Sequence, residues 1–191
     1  ARDVEPSVDN VANLALIESP PTPGRIVSER AVEGVDATLL ELSNGAKVYL
    51  KPTTFKDDEI VMSAYSPGGL SLIPDELHPS GVFAGQLINI SGLGSMDQIQ
   101  LQKALAGKVA TVVSSPGEFS EMLSGRASPR DLETMMQLVH LRFTAPRSDT
   151  TAFESFMTRY RGMLANRDAS PEVAFSDTFT VTMWQKHPRA Q

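Results

Sequence analysis

The chain contains no cysteine. That excludes a disulfide scaffold, zinc knuckles, thiolate catalysis and cysteine-ligated clusters, although it does not separate cytosol from periplasm. Positive charge is in deficit: 17 Lys and Arg stand against 23 Asp and Glu, a net charge of -6. Nucleic-acid phosphates and anionic lipid are therefore not expected partners. No apolar run approaches the ~20 residues that span a bilayer, and the acidic opening from Ala1 to Asn10 lacks the apolar centre of a signal peptide. Histidine is scarce. His78, His140 and His187 lie far apart, and no two share the spacing with which a helix or a strand pair holds a metal. His140 is expected to be half-buried on a helix flank, and His78 and His187, each before a proline, to lie in surface loops.

Familiar catalytic motifs are also missing. Gly92-Leu93-Gly94 has Asp97 where a dinucleotide-binding loop needs its third glycine, and a helix precedes it rather than a strand. Gly107-Lys108 is followed by Val109, not the Ser or Thr that would hold magnesium beside a phosphate. No Gly-x-Ser-x-Gly element occurs, and no Ser/His/Asp set stands out. The acid pairs Asp57-Asp58 and Asp75-Glu76 read as solvated turns, and Arg159 and Arg161 as the charged outer side of a helix.

What is present has the proportions of a globular protein: 191 residues, 41% hydrophobic and 21% charged. That length suits one large domain with an extended flank. Residues 1–35, with Ser19-Pro20-Pro21-Thr22-Pro23-Gly24 at their centre, predict a linker, and residues 36–191 a domain. The domain opens with a hairpin, 37–42 and 46–51, turned by Ser43-Asn44-Gly45. A third strand follows at 59–65 and ends at Ser66-Pro67-Gly68-Gly69. An apolar helix to Ile90, a short helix over 96–106 and two strands, 108–114 and 118–125, come next. Three helices complete the pattern. One starts at Ser128-Pro129 and carries Leu132, Met135, Met136, Val139 and Phe143. Another carries Phe153, Phe156, Met157, Tyr160 and Leu164. The last starts at Ser170-Pro171 and is expected to bury Phe175, Phe179, Thr182 and Met183. Hairpins followed by a helical layer predict an α+β fold, a mostly antiparallel sheet covered on one face by helices.

Residue chemistry alone leaves function unstated. A resemblance goes further. Leu42-Ser-Asn-Gly-Ala-Lys-Val-Tyr-Leu-Lys-Pro52, continuing through Thr53-Thr54-Phe55-Lys56 to Ile60-Val-Met-Ser-Ala-Tyr-Ser-Pro-Gly-Gly69, resembles the opening hairpin and third strand of a pitrilysin/insulinase-type zinc metallopeptidase domain. The later elements follow in that family's order over about residues 36–187. The resemblance implies a metallopeptidase-like fold in a protein built from homologous domains, whose active domain carries an inverted His-x-x-Glu-His on the helix after the third strand. Two histidines one turn apart hold zinc there, and the glutamate acts as base on the bound water.

Counted back from Gly92, that motif falls on Phe83-Ala84-Gly85-Gln86-Leu87, and no histidine or glutamate occurs between Pro79 and Lys108. On the helix over 150–166, where the family places its third ligand, Glu154 is the single acid. Phe83, Gln86 and Leu87 thus mark a degenerate motif, with no catalytic residue and no metal in this segment. The resemblance implies a non-catalytic domain from the C-terminal half of a longer protein, truncated at its C-terminal end, with residues 1–35 joining the halves. Zinc is expected in the parent's catalytic domain. Expected partners are the catalytic half of the same polypeptide and peptide substrates, with no nucleic acid and no membrane span. An unfinished sheet would also favour self-association of the isolated segment. Tyr65, Gly68, Gly69 and Leu70 are the candidate substrate-binding residues, because they leave the third strand beside the degenerate helix. An inactive interaction scaffold of the same family is the alternative, and an unrelated enzyme using an unseen cofactor a third.

Overall fold

The computed structural model describes residues 15–167 and 170–190. The segment before residue 15 lies outside the described residues. The chain divides into two compact units, one spanning 17–59 and the other running from 60 onward together with Leu16.

The smaller unit is a three-stranded antiparallel sheet, β1 (Ile26–Val32), β2 (Ala37–Leu42) and β3 (Lys47–Leu50), in that order. At the β2–β3 turn Gly45 has φ +85°, and Asn44 Oδ1 accepts the Ala46 N–H at 3.1 Å. Leu39, in the central strand, is the buried residue, 1% exposed. β1 corrects one expectation. Residues 26–32, read as linker, pair with β2 from Val32↔Ala37 to Ile26↔Leu42. The strand escapes a periodicity search because it lies at a sheet edge with most side chains exposed, so its apolar positions do not alternate cleanly.

The larger unit holds a second antiparallel sheet of β4 (Ile60–Pro67), β5 (Ala110–Pro116) and β6 (Ser120–Ala127), ordered β4-β6-β5. The α+β class and the antiparallel pairing agree with the sequence expectation, but the strands form two separate sheets. Among the described residues five α-helices accompany them: α1 (His78–Ile90), α2 (Gln98–Ala104), α3 (Leu132–Thr144), α4 (Thr150–Ala165) and α5 (Pro171–Met183). Met62 and Ala64 of β4, Ala110 and Val112 of β5, and Leu123 and Ala127 of β6 meet Met135 and Leu138 of α3 in the core, with Leu93, Met96 and Leu101.

Local chemistry sets the element boundaries. Asp97 and Gln100 exchange side-chain and backbone bonds of 2.8 and 2.9 Å at the start of α2, a capping box. Asp149 Oδ1 accepts the Ala152 N–H at 2.9 Å and opens α4. Before α3, Ser128 donates to Asp131 at 2.7 Å, and the same carboxylate oxygen accepts the Val109 N–H at 2.9 Å. That acid ties the entry of β5 to the entry of α3. Asn89 of α1 reaches β5 and bonds both the Ser114 carbonyl (2.8 Å) and its N–H (3.2 Å), satisfying part of that edge strand.

The last helix departs from expectation. Phe175, Phe179 and Met183 are 73%, 55% and 63% exposed, and Thr182 is exposed as well. A helical stripe records only that one side is apolar, and among the described residues no element buries this one.

Candidate functional site

The strand β4 and the loop after it position the first group of residues. Tyr65 is exposed at 67%. Gly68 and Gly69 then turn the chain with φ +136° and +62°. Their neighbours bond the β5–β6 turn: Gly68 N–H to Phe119 O (2.9 Å), Leu70 N–H to Gly117 O (2.9 Å) and Ser71 N–H to Glu118 O (2.7 Å). A Cβ on Gly69 would lie 2.2 Å from Gly117 O. The close backbone approach that this glycine permits is thus to the protein's own β5–β6 turn.

The same loop is clamped by a segment the sequence did not flag. Arg189 donates to Asp75 Oδ1 (2.7 Å), Glu118 Oε1 (3.1 Å), Leu70 O (2.9 Å) and Ile73 O (2.7 Å). Glu118 also bonds His78 Nε2 at 2.9 Å. His78, expected on the surface, is instead 6% exposed at the start of α1, because Glu118 gives its ring a partner inside. The His78 and Arg189 bonds hold the Glu118 carboxyl below the ordinary carboxylate range, and Arg189 does the same to Asp75. His140 is half-buried on α3, as its flank position suggests, and His187 is exposed.

The degenerate motif lies on α1. Phe83 and Leu87 are half-buried and Gln86 is exposed. Phe83 packs edge-on against Phe156 and Tyr160 of α4, with ring centroids 5.6 and 4.8 Å away, and Phe156 stacks on Tyr160 at 6.0 Å. Three aromatic rings join the two helices, an arrangement held by dispersion and ring quadrupoles. This donor set does not suit zinc: it offers one phenol and no imidazole, thiolate or carboxylate. Glu154 is exposed on α4, and among the described residues no group of three His, Cys, Asp or Glu could hold a metal ion.

The second sheet carries a feature that neither motif anticipates. Over 60–65 of β4, 110–115 of β5 and 122–127 of β6 the residues alternate, and the outward set is exposed: Val61, Ser63 and Tyr65 on β4, Met122, Ser124 and Arg126 on β6, Thr111, Val113 and Ser115 on β5. Register aligns them into rows, Val61–Arg126–Thr111, Ser63–Ser124–Val113 and Tyr65–Met122–Ser115. One charge occurs among these nine side chains. Aliphatic, aromatic and hydroxyl groups make a surface suited to an extended chain of mixed sequence. A period-two pattern in parts of these strands is the one sequence signal that could have found it.

No model of a known protein family matches the chain. A zinc protease PQQL-like protein of Arabidopsis thaliana is 32% identical over 129 residues, 68% of this chain and 11% of that protein. The crystal structure of the periplasmic protease PqqL from Escherichia coli superposes with a TM-score of 0.82 over 100% of this chain and 21% of that one, at 22% identity. The ferredoxin protease FusC, solved in complex with Arabidopsis ferredoxin, gives 0.74 over 85% of this chain and 18% of its own, at 20% identity. The fold is that of a peptidase domain. More narrowly, the chain belongs to the pitrilysin/insulinase-type peptidase family. It spans 11% to 21% of the length of these relatives.

Proposed function

We propose that the chain is a non-catalytic, substrate-enclosing segment of a zinc metalloendopeptidase. The open face of β4, β6 and β5 forms part of a peptide chamber, with Tyr65 on that face, and Gly68, Gly69 and Leu70 shape its rim. Zinc and the catalytic base belong to another part of the longer polypeptide, which supplies the facing wall. The observation that carries this reading is the alternation of the second sheet over 60–65, 110–115 and 122–127: core on one side, and on the other an exposed surface with one charge among nine side chains and both apolar and hydroxyl groups. Such a surface can hold extended peptide while remaining tolerant of its sequence. The aromatic filling of the motif position supports a structural rather than a hydrolytic role for α1.

The test uses the longer polypeptide. Val61→Asp places a charge on the open face at a position 66% exposed, and Tyr65→Ala removes its largest ring. Each is expected to raise KM for long peptides several-fold, with little change for short ones and with circular dichroism unaltered. Unchanged kinetics in both folded variants would overturn the proposal. A second reading, an inactive interaction scaffold, is favoured by the exposed Phe175, Phe179 and Met183 stripe of α5. Peptide hydrolysis by the longer polypeptide, lost when its zinc is removed, would reject it.

A further inference from the structure

A pocket of about 360 Å³ lies where α1 and α3 meet the second sheet. That places it at the lower end of the range for small-ligand clefts, roughly 300–1,000 Å³. Ala64, Ile88, Leu123 and Phe143 supply apolar wall, Glu121 one carboxylate, and Arg142 its single cation. Tyr65 and Met122, from the rows of the open sheet face, also line it.

Arg142 is only partly satisfied. Its terminal nitrogens donate to the Ile88 carbonyl at 3.0 Å and the Val112 carbonyl at 3.4 Å. Its Nε is buried with no partner, and among the described residues no carboxylate pairs with it. Burial lowers its pKa, the direction expected when a cation is desolvated without a counter-charge. Neutral carbonyls compensate a buried guanidinium less well than an anion, because they bring no counter-charge. An incoming carboxylate would supply the counter-charge that the two carbonyls do not, beside an apolar wall with room for one side chain.

We propose that this pocket binds the C-terminal residue of a peptide, its α-carboxylate on Arg142 and an apolar side chain against Ala64, Ile88, Leu123 and Phe143. The apolar wall favours a leucine side chain over a glutamate one, so peptides ending in leucine bind and peptides ending in glutamate do not. The assignment rests on the peptide-chamber reading and deepens it: the chamber wall would distinguish a chain end from an internal stretch.

The experiment is fluorescence anisotropy on the 191-residue chain with N-terminally labelled tetrapeptides. One ends in leucine with a free carboxylate, one is its C-terminal amide and one ends in glutamate. The free leucine acid is expected to bind at least about tenfold more tightly than either of the others, the loss expected for one charge-assisted contact. Arg142→Gln should abolish that preference. Phe143→Asp, at a side chain 72% exposed and so compatible with the fold, should abolish it independently by placing a negative charge in the wall. Equal binding of acid and amide, or a preference retained in either folded variant, would overturn the proposal. Calorimetry with octanoate separates the other source of the same chemistry: heat with octanoate and no binding of the leucine peptide would make this an aliphatic-acid site and also overturn it. Because Val61 does not line the pocket, the two ideas fail separately. A chain that ignores peptide ends while Val61→Asp still raises KM loses only the pocket assignment, and the converse loses only the chamber.

Discussion

Gly69 controls the loop after β4, because its positive φ and the 2.2 Å approach of Gly117 O to a Cβ position admit no side chain. Gly69→Ala is expected to cost at least about 2 kcal/mol, from left-handed strain together with displacement of the β5–β6 turn. Urea unfolding would check it, and a loss under half a kilocalorie would show that the loop can move aside. For the same reason, bulky residues at this glycine cannot serve to test peptide binding. Asp131 carries a second residue-scale expectation. The Val109 N–H, and after it the Ser128 hydroxyl, hold its carboxyl below the ordinary range of about 3.9. A carboxyl depressed in the folded state contributes stability that is present above its unfolded pKa and lost as the pH falls through the folded one. The melting temperature should therefore be level at neutral pH and decline below about pH 4. Asp131→Asn should lower the neutral value and flatten the acid decline, and an unchanged neutral melting temperature would contradict this. Gly69 was legible in the sequence as a turn residue. The bonds of His78 and Arg189 were not, since their partners lie 40 to 119 positions away and no local pattern encodes such a distance.

At the scale of elements, the join between α1 and α4 depends on Phe83, Phe156 and Tyr160. Phe156, 6% exposed, is its most buried ring. Phe156→Ala should cost roughly 3 kcal/mol, the low end for removing a buried phenylalanine, because the other two rings are only half-buried and can partly close the gap. The unfolding midpoint in denaturant measures it. α5 behaves differently. Phe175→Ser and Phe179→Ser, at exposed stacked rings 6.2 Å apart, should change stability by no more than about 0.5 kcal/mol each. They should also reduce any self-association seen by light scattering, and a large loss of stability would mean that the stripe is covered. Helices α3 and α5 were legible from Ser-Pro starts and apolar spacing, and α4 from apolar spacing alone, to within a few residues. What periodicity could not supply was the partner of each apolar side: Met135 is fully buried, whereas Phe143 on the same helix is 72% exposed. Strands β5 and β6 begin and end about two residues later than expected: the ladder continues through Pro116, and the turn falls on Gly117 to Phe119.

At the scale of the whole molecule, family membership was legible in the run from Leu42 to Gly69, a stretch that crosses from one compact unit into the other. The division into two sheets was not, because hairpin and strand signals report local pairing and not which sheet a strand joins. The candidate surface was half legible. Tyr65 was named, but its row partners Met122 and Ser115 come from strands about 50 residues later and are set by register. The central claim is that this surface faces peptide inside a zinc peptidase, and photo-cross-linking tests it most directly. A benzoylphenylalanine introduced at position 61 of the longer polypeptide should, on illumination, attach to a labelled peptide substrate, and unlabelled substrate should compete the product away. The same probe at position 175, on α5, should not. Labelling at 175 equal to that at 61, or no competable product at 61 in an active enzyme, would contradict it.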